Sequence, residues 1–362
     1  MKKEYLQILN CPECRSDLTL ISEKIVEGKT QIGSLQCLNP LCNKNFVIRN
    51  FVPRFVDYGG HYAESFGAQW QTFAKTQLDN EQSNDSKLRF NSEIGWDEED
   101  LIGKTVIEFG SGAGRFIDVV SSKGAKLCIG IDITDAVDAS QDNLGSRDNV
   151  FFIQADFFKS PVKDGTCDFG YSMGVLHHTP DPEGAFQALT RKLCEDGKAG
   201  LSLYDISLYR RPNRNNIKVS TIELLWEINL FRCELFRTVT TRLPRKTFLY
   251  YCKTIVPILH YLNKIPVIGL IRYLLPSTCY KNKPVSWSML DTHDTYATKI
   301  VHQYRSKDIF QWFMRADLFD IIVHNSRAGW VSLTGSKKKD MSLSYKKYLH
   351  QQPGAPGSKL DY

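Results

Sequence analysis

This 362-residue sequence lacks several features, and each absence narrows what it can be. No stretch of about 18 uninterrupted apolar residues occurs, so no membrane-spanning helix is expected. The opening residues form no apolar run, so no secretory leader is expected either. Ten cysteines without such a leader point to reduced thiols or metal ligands, not disulfides. There is no internal repeat and no strong overall charge. A net +6 with 42% hydrophobic content is ordinary for a globular chain, and the length allows more than one domain.

What is present centres on residues 105–132, TVIEFGSGAGRFIDVVSSKGAKLCIGID. The β-branched and aromatic run at 105–109 reads as a buried strand. It meets Gly110-Ser111-Gly112-Ala113-Gly114, where glycine permits a sharp turn and close approach of a ligand to the backbone. A helix begins near Ala113, and its free N–H groups aim at whatever lies over the loop. A second strand, 126–131, delivers Asp132 to the carboxyl edge of the sheet, where ligands of open α/β sheets sit. A carboxylate there can accept from both hydroxyls of a ribose. The dinucleotide pattern Gly-x-Gly-x-x-Gly is absent: the third glycine comes one place early and Arg115 fills its slot. Glu108 would repel a pyrophosphate but can accept from an ammonium group or order the loop.

These residues resemble motif I of the class I S-adenosylmethionine-dependent methyltransferases. The resemblance implies that the loop holds the methionine half of S-adenosylmethionine. The cofactor-binding set is then Glu108, Gly110, Ser111, Gly112, Gly114, Arg115, Asp132, Ile133, Asp156, Phe157, Met173 and Gly174. Asp156 would accept from the adenine amino group, and Phe157 would pack on the ring. Gln69 and Trp70 join the set because Phe66-Gly-Ala-Gln-Trp70 resembles a segment that closes over the cofactor in bacterial methyltransferases. Its aromatics recur at helical spacing, so 61–77 is expected to be helical.

The core continues in βα rhythm, with strands at 150–154, 167–172 and 199–204 and a helix at 183–194. The pair 319–323 and 329–333 closes the sheet antiparallel. The expected fold is a Rossmann-like, doubly wound, seven-stranded α/β sheet with an antiparallel last strand. The loop Gly174-Val-Leu-His177-His178-Thr-Pro-Asp-Pro182 is similar to the fourth-strand loop of methyltransferases acting on small molecules and quinones. His178 and His177 titrate near neutrality and are the candidate catalytic bases for a hydroxyl or phenol acceptor. Asp291, His293 and Asp294 sit in a polar-aromatic segment that could return over the site.

Before the core, Cys11-Pro-Glu-Cys14 and Cys37-Leu-Asn-Pro-Leu-Cys42 are two close pairs joined by a β-like segment. Such pairs place four thiolates tetrahedrally around a structural Zn2+ ion. A unit this small needs metal for stability. The runs 6–14 and 46–55 resemble a family of short zinc ribbons fused to, or partnering, methyltransferases.

The expected organisation is a zinc ribbon at 1–56, a helical connector and cofactor lid at 57–100, and a core at 101–204. A helical insertion follows at 205–290, broken into short pieces by prolines, then the end of the core at 291–335 and a mobile tail at 336–362. The insertion holds fourteen Lys or Arg against four Asp or Glu, a net +10 exceeding that of the whole chain. It is expected to be an acceptor lid for an anionic or amphipathic partner. The resemblance implies methylation, with O-methylation of a small molecule, sugar or lipid-linked acceptor expected. The alternative is an rRNA or tRNA base methyltransferase using the ribbon for RNA, so nucleic acid is the weaker partner. A cytoplasmic location is expected, with peripheral contact at the inner membrane surface.

Overall fold

The computed structural model describes residues 1–56, 63–206, 221–265, 268, 274–326 and 329–338. Expectations placed on 57–62, on Arg210, Arg211, Arg214 and Lys218, and on the tail beyond 338 lie outside those residues.

The N-terminal residues form a four-stranded antiparallel sheet of β1 (Leu18–Val26), β2 (Lys29–Cys37), β3 (Asn45–Arg49) and β4 (Val52–Pro53). This sheet does not stand apart. Leu9, Leu35 and Ile48 share one hydrophobic cluster with Ile107, Phe109 and Phe151 of the core. Tyr5 stacks on Phe151 at 4.3 Å. Buried Arg54 donates to Gln154 Oε1 at 2.7 Å and pairs with Asp138 at 2.5 Å.

The main sheet comprises β5 (Thr105–Phe109), β6 (Leu127–Asp132), β7 (Val150–Gln154), β8 (Cys167–Met173), β9 (Leu193–Tyr204), β10 (Phe319–His324) and β11 (Trp330–Ser336). Their order is β10-β11-β9-β8-β5-β6-β7. β5 to β9 pair in parallel, while β11 runs antiparallel to both β9 and β10. The expected seven-stranded sheet with its antiparallel last strand is therefore present. The strand order reverses at β5, with β6 on one side and β8 on the other. A crevice opens at such a switch point, outside the carboxyl ends of the strands.

The helices are α1 (Glu64–Thr72), α2 (Asp85–Glu93), α3 (Glu98–Leu101), α4 (Arg115–Ser122), α5 (Ala136–Leu144), α6 (Pro182–Arg191), α7 (Thr221–Thr240), α8 (Arg245–Leu262), α9 (Val285–Ala297) and α10 (Ser306–Arg315). Asp181 caps α6 by accepting from Gly184 N–H, with Pro182 in the first turn. Thr134 Oγ1 accepts from Ala136 N–H at the start of α5. Among the described residues no helix is long and apolar enough to cross a membrane.

Several boundaries differ from expectation. α1 stops at Thr72 instead of reaching residue 77, because Gln77 is drawn off to accept from Arg115 and from the Ser86 hydroxyl. α6 stops at Arg191, and β9 begins at buried Leu193, which pairs with Cys167 across an irregular register. Pro257 lies inside α8 without ending it. Val256 and Leu259 beside it are buried and hold the helix against α9. The expected boundary at 290 falls within α9. β11 runs on through Ser336, and Lys337 donates its N–H to Gly197 O.

Candidate active site

The chain leaves β5 through Gly110, Gly112 and Gly114, all at positive φ, a backbone that only glycine adopts without strain. Gly110 and Ser111 donate their N–H groups to Ile131 O at 2.7 and 3.1 Å, tying the loop to β6. Gly112 N–H donates to Asp132 Oδ2 at 3.0 Å. Thr134 donates to Asp132 Oδ1 through its N–H at 2.9 Å and its hydroxyl at 2.7 Å. A carboxylate has about four acceptor directions. Asp132 thus has at most one left for a ribose, not two, and it anchors the loop as well.

These groups open on a cavity of about 520 Å3 at the carboxyl ends of β5, β6 and β8, walled by α1 on one side and α9 on another. Every residue expected to bind cofactor or act as base lines it except Gly114, Asp156 and His177. Gly114 is the left-handed residue preceding α4. The Asp156 carboxylate caps the short turn after β7, accepting from Phe158 N–H at 3.0 Å. Phe157 does line the cavity and stacks on Phe109 at 4.9 Å.

Glu108 is buried at the cavity wall. Burial raises its pKa well above the usual carboxyl range, and the neighbouring Asp132 charge adds to this. The Tyr171 hydroxyl is near enough to favour the charged form, yet neither Tyr171 Oη nor Glu108 Oε2 has a hydrogen-bond partner of good geometry. Burying an unpaired polar atom is unfavourable. An ammonium group in the cavity would satisfy it, so the residues present fit the amino-acid end of S-adenosylmethionine. Trp70 lies over the loop so closely that a Cβ on Gly112 would sit 3.1 Å from its ring.

The two histidines separate. His177 is wholly buried against Tyr204, ring centroids 4.0 Å apart, and neither ring nitrogen has a partner. Burial pushes its pKa well below the usual value. Expected as a candidate base, it packs behind the cavity wall instead. His178 lines the cavity, and its Nδ1–H donates to Ile300 O at 2.8 Å, which leaves Nε2 as the lone-pair nitrogen. Burial lowers its pKa to about 4.

The opposite wall is one face of α9. Trp287, Leu290, Asp291, Asp294 and Thr295 follow the i, i+3, i+4, i+7, i+8 spacing of one helix side, and all five line the cavity. Gln69 Nε2 donates to Asp294 Oδ1 at 3.2 Å, and Gln69 Oε1 accepts from His293 Nδ1 at 2.7 Å. Burial raises the Asp294 pKa, opposed by hydrogen bonds from Gln69 and Tyr204. The Tyr280 hydroxyl donates to Asp291. The polar-aromatic segment thus does return over the site. The sequence reading missed Tyr204, Tyr280, Trp287 and Trp330, all cavity-lining aromatics. Only Trp287 carried a signal, the helical spacing it shares with Asp291 and Asp294. Trp330 is fixed by Arg89, whose guanidinium lies 4.0 Å over its ring and pairs with buried Glu93 at 3.0 Å.

Part of the basic charge expected to face the acceptor lies outside the described residues. Of the insertion's described Lys and Arg, only Lys283 lines the cavity. It pairs there with Asp85, and holds that carboxyl below its usual pKa.

Outside the cavity lining the four ribbon cysteines converge, their Sγ atoms all within 4.8 Å of one another. Cys11 and Cys42 are 3.7 Å apart, and Cys14 and Cys37 are 3.4 Å apart.

Solved structures that resemble this chain include an S-adenosylmethionine-dependent methyltransferase from Thermotoga maritima. It is 14% identical with a TM-score of 0.39, over 75% of this chain and 94% of that one. A chain of the Haloferax volcanii complex between the Trm112 methyltransferase activator and a methyltransferase is 11% identical, TM-score 0.40, over 76% and 98%. A methyltransferase of the same cofactor class from Mesorhizobium loti is 13% identical, TM-score 0.39, over 66% and 92%. TM-scores of this size carry no argument on their own. The family model described as a methyltransferase domain matches residues 107–201, from within β5 to within β9. With the glycine loop and the strand order in which that segment is built, residues 107–201 belong to a class I S-adenosylmethionine-dependent methyltransferase domain.

Proposed function

We propose that the enzyme methylates an oxygen of a small acceptor, a small molecule, sugar or lipid-linked head group, held between the glycine loop and α9. The observation that carries this reading is the α9 face, which sets Asp294 and aromatic rings across the cavity from the loop. The volume lies within the range of small-molecule sites. S-adenosylmethionine supplies an activated methyl group on a sulfonium. Glu108 would hold its amino-acid end, Asp132 its ribose, and Phe157 would pack by its adenine. With the donor already activated, positioning supplies much of the acceleration.

A hydroxyl acceptor also has to lose a proton. His178 presents a bare Nε2, but a base held to about 4 takes that proton poorly. Asp294 is the carboxylate that faces the loop across the cavity, and burial raises its pKa in the direction that favours proton uptake. Gln69, fixed by His293, keeps the carboxylate aimed. As the acceptor oxygen gains the methyl group, Asp294 takes its proton. His178 then lines the acceptor, with its tautomer fixed by Ile300.

The four thiolates are inferred to hold a structural Zn2+. Sulfurs about 2.3 Å from a tetrahedral zinc lie roughly 3.8 Å from one another, close to the spacings seen. All four positions are protein ligands, so no site is open for chemistry.

The test is incubation with methyl-labelled S-adenosylmethionine of a deletion strain's lipid, glycan and small-molecule extracts, beside its RNA. Label in the extracts supports the proposal, and label in RNA alone overturns it. With the acceptor in hand, Asp294→Asn should lower kcat by about 10²–10⁴-fold and leave cofactor affinity unchanged.

A further inference from the structure

Of the insertion's described Lys and Arg, all but Lys283 lie outside the cavity lining, and the structure shows where some of them go. Between Leu235 and Leu290 there are nine Lys or Arg and no Asp or Glu. α8 packs one side, Phe248, Cys252, Val256 and Leu259, into the core of the insertion. Its other side carries Lys246, Tyr250, Lys253, Ile258 and Tyr261, all exposed, and Lys264 follows just past the end of the helix, also exposed. Tyr250 is 69% exposed and Tyr261 59%. Leu274, beyond the helix, is 73% exposed, and α7 shows Phe231, Leu235 and Val239 at four-residue spacing. Scattered apolar residues on a surface are ordinary, but apolar and basic residues gathered on the outer side of one helix mark an interaction face.

The chemistry of that side of α8 selects the occupant. A second copy of the chain would set lysine against lysine, and the segment has no carboxylate to offset them. Single-stranded nucleic acid could use the lysines and tyrosines, but Ile258 and Leu274 offer it neither charge nor an aromatic face. An anionic bilayer uses every part. Tyrosines settle at the boundary of head groups and acyl chains, aliphatic side chains enter below it, and lysine stems snorkel to the phosphates.

We propose that the outer side of α8 docks the enzyme peripherally on an anionic lipid bilayer. The helix lies on the surface; none described can cross it. α9, the acceptor wall, packs directly on α8, so the site lies one helix away from the lipid. The inference stands whichever acceptor is methylated.

The experiment is co-sedimentation of the full chain with vesicles of phosphatidylcholine alone and of equimolar phosphatidylcholine and phosphatidylglycerol. Two variants accompany it, Lys253→Glu with Lys264→Glu, and Ile258→Ser with Tyr261→Ser. All four positions are exposed and outside the cavity, so affinity for S-adenosylmethionine should be retained and reports that each variant folds. The expected result is binding to the anionic vesicles only, weakened by salt and reduced about tenfold or more in each variant. No binding to anionic vesicles at low salt overturns the proposal, as does equal binding by parent and variants. Vesicle-free dimers that these substitutions dissociate, or binding of transfer RNA without binding of vesicles, would assign the face to the other occupants.

Discussion

Gly110 gives the sharpest test of the loop geometry. It sits at φ +85°, and a Cβ there would lie 2.3 Å from Val175 Cγ1. Alanine in left-handed backbone costs about 1–2 kcal/mol. Relieving the overlap costs about 1–3 kcal/mol more, since it must move a side chain or the backbone carrying it. Val175 also lines the cavity, so its displacement should reach the cofactor site. Gly165 supplies the control. Its φ is +72°, but nothing lies within 4 Å of a Cβ built there, so Gly165→Ala bears the backbone cost alone. Urea unfolding of both variants should place Gly110→Ala lower by about 1–3 kcal/mol, the overlap by itself. Titration with S-adenosylmethionine should show weaker binding for Gly110→Ala and parental binding for Gly165→Ala. Equal destabilisation of the two, with cofactor affinity unchanged in both, would refute the geometry argued for the loop.

Removing the metal should release about one zinc per chain by elemental analysis. Because Leu9, Leu35 and Ile48 share a cluster with the main sheet, a chelator should lower the unfolding midpoint of the whole chain instead of producing a separate early transition. Asp132→Ala should weaken S-adenosylmethionine binding by about 1–3 kcal/mol, read by calorimetry. It should also lower the melting temperature of the free protein, since the Gly112 and Thr134 donors lose their acceptor. His178 ordinarily titrates near 6.5 and here only near 4. Between those values the unfolded chain binds a proton that the folded chain refuses, so stability present above pH 6.5 is lost as pH falls, by about 3 kcal/mol at the low end. His178→Gln should flatten that part of the stability profile in urea titrations at stepped pH. For Asp294 the sign is opposite in kind: its raised pKa means that the carboxylate is present only toward higher pH, so kcat should rise with pH along a limb that Asp294→Asn abolishes.

The loop and its strands were legible because their cause is local. A buried β-branched run needs no partner to declare itself, and glycines at 110, 112 and 114 announce a backbone that other residues avoid. The alternation of strand and helix gave the parallel part of the sheet, and its order came from the structure. What stayed hidden depends on contacts between distant segments. Nothing near His177 in the sequence says that Tyr204 will cover its ring. Pro257 reads as a break, and only the burial of Val256 and Leu259 keeps α8 whole across it. Asp291 and Asp294 read as a polar-aromatic segment near the site, but that they and Trp287 share one face of a helix lining the cavity came from the fold. The insertion's charge was countable, whereas the placement of Lys246 and Lys253 on the outer side of α8 required the fold.

The central claim is that the cavity at the switch point holds S-adenosylmethionine with its amino group against Glu108. Isothermal titration of S-adenosylmethionine into the full chain and into Glu108→Ala tests it most directly. The parent should bind one molecule per chain, displaced by the demethylated product, S-adenosylhomocysteine. Glu108→Ala, which leaves the ammonium without its acceptor, should bind about tenfold more weakly or worse. No heat of binding in the parent, or equal affinity in the variant, would contradict the claim.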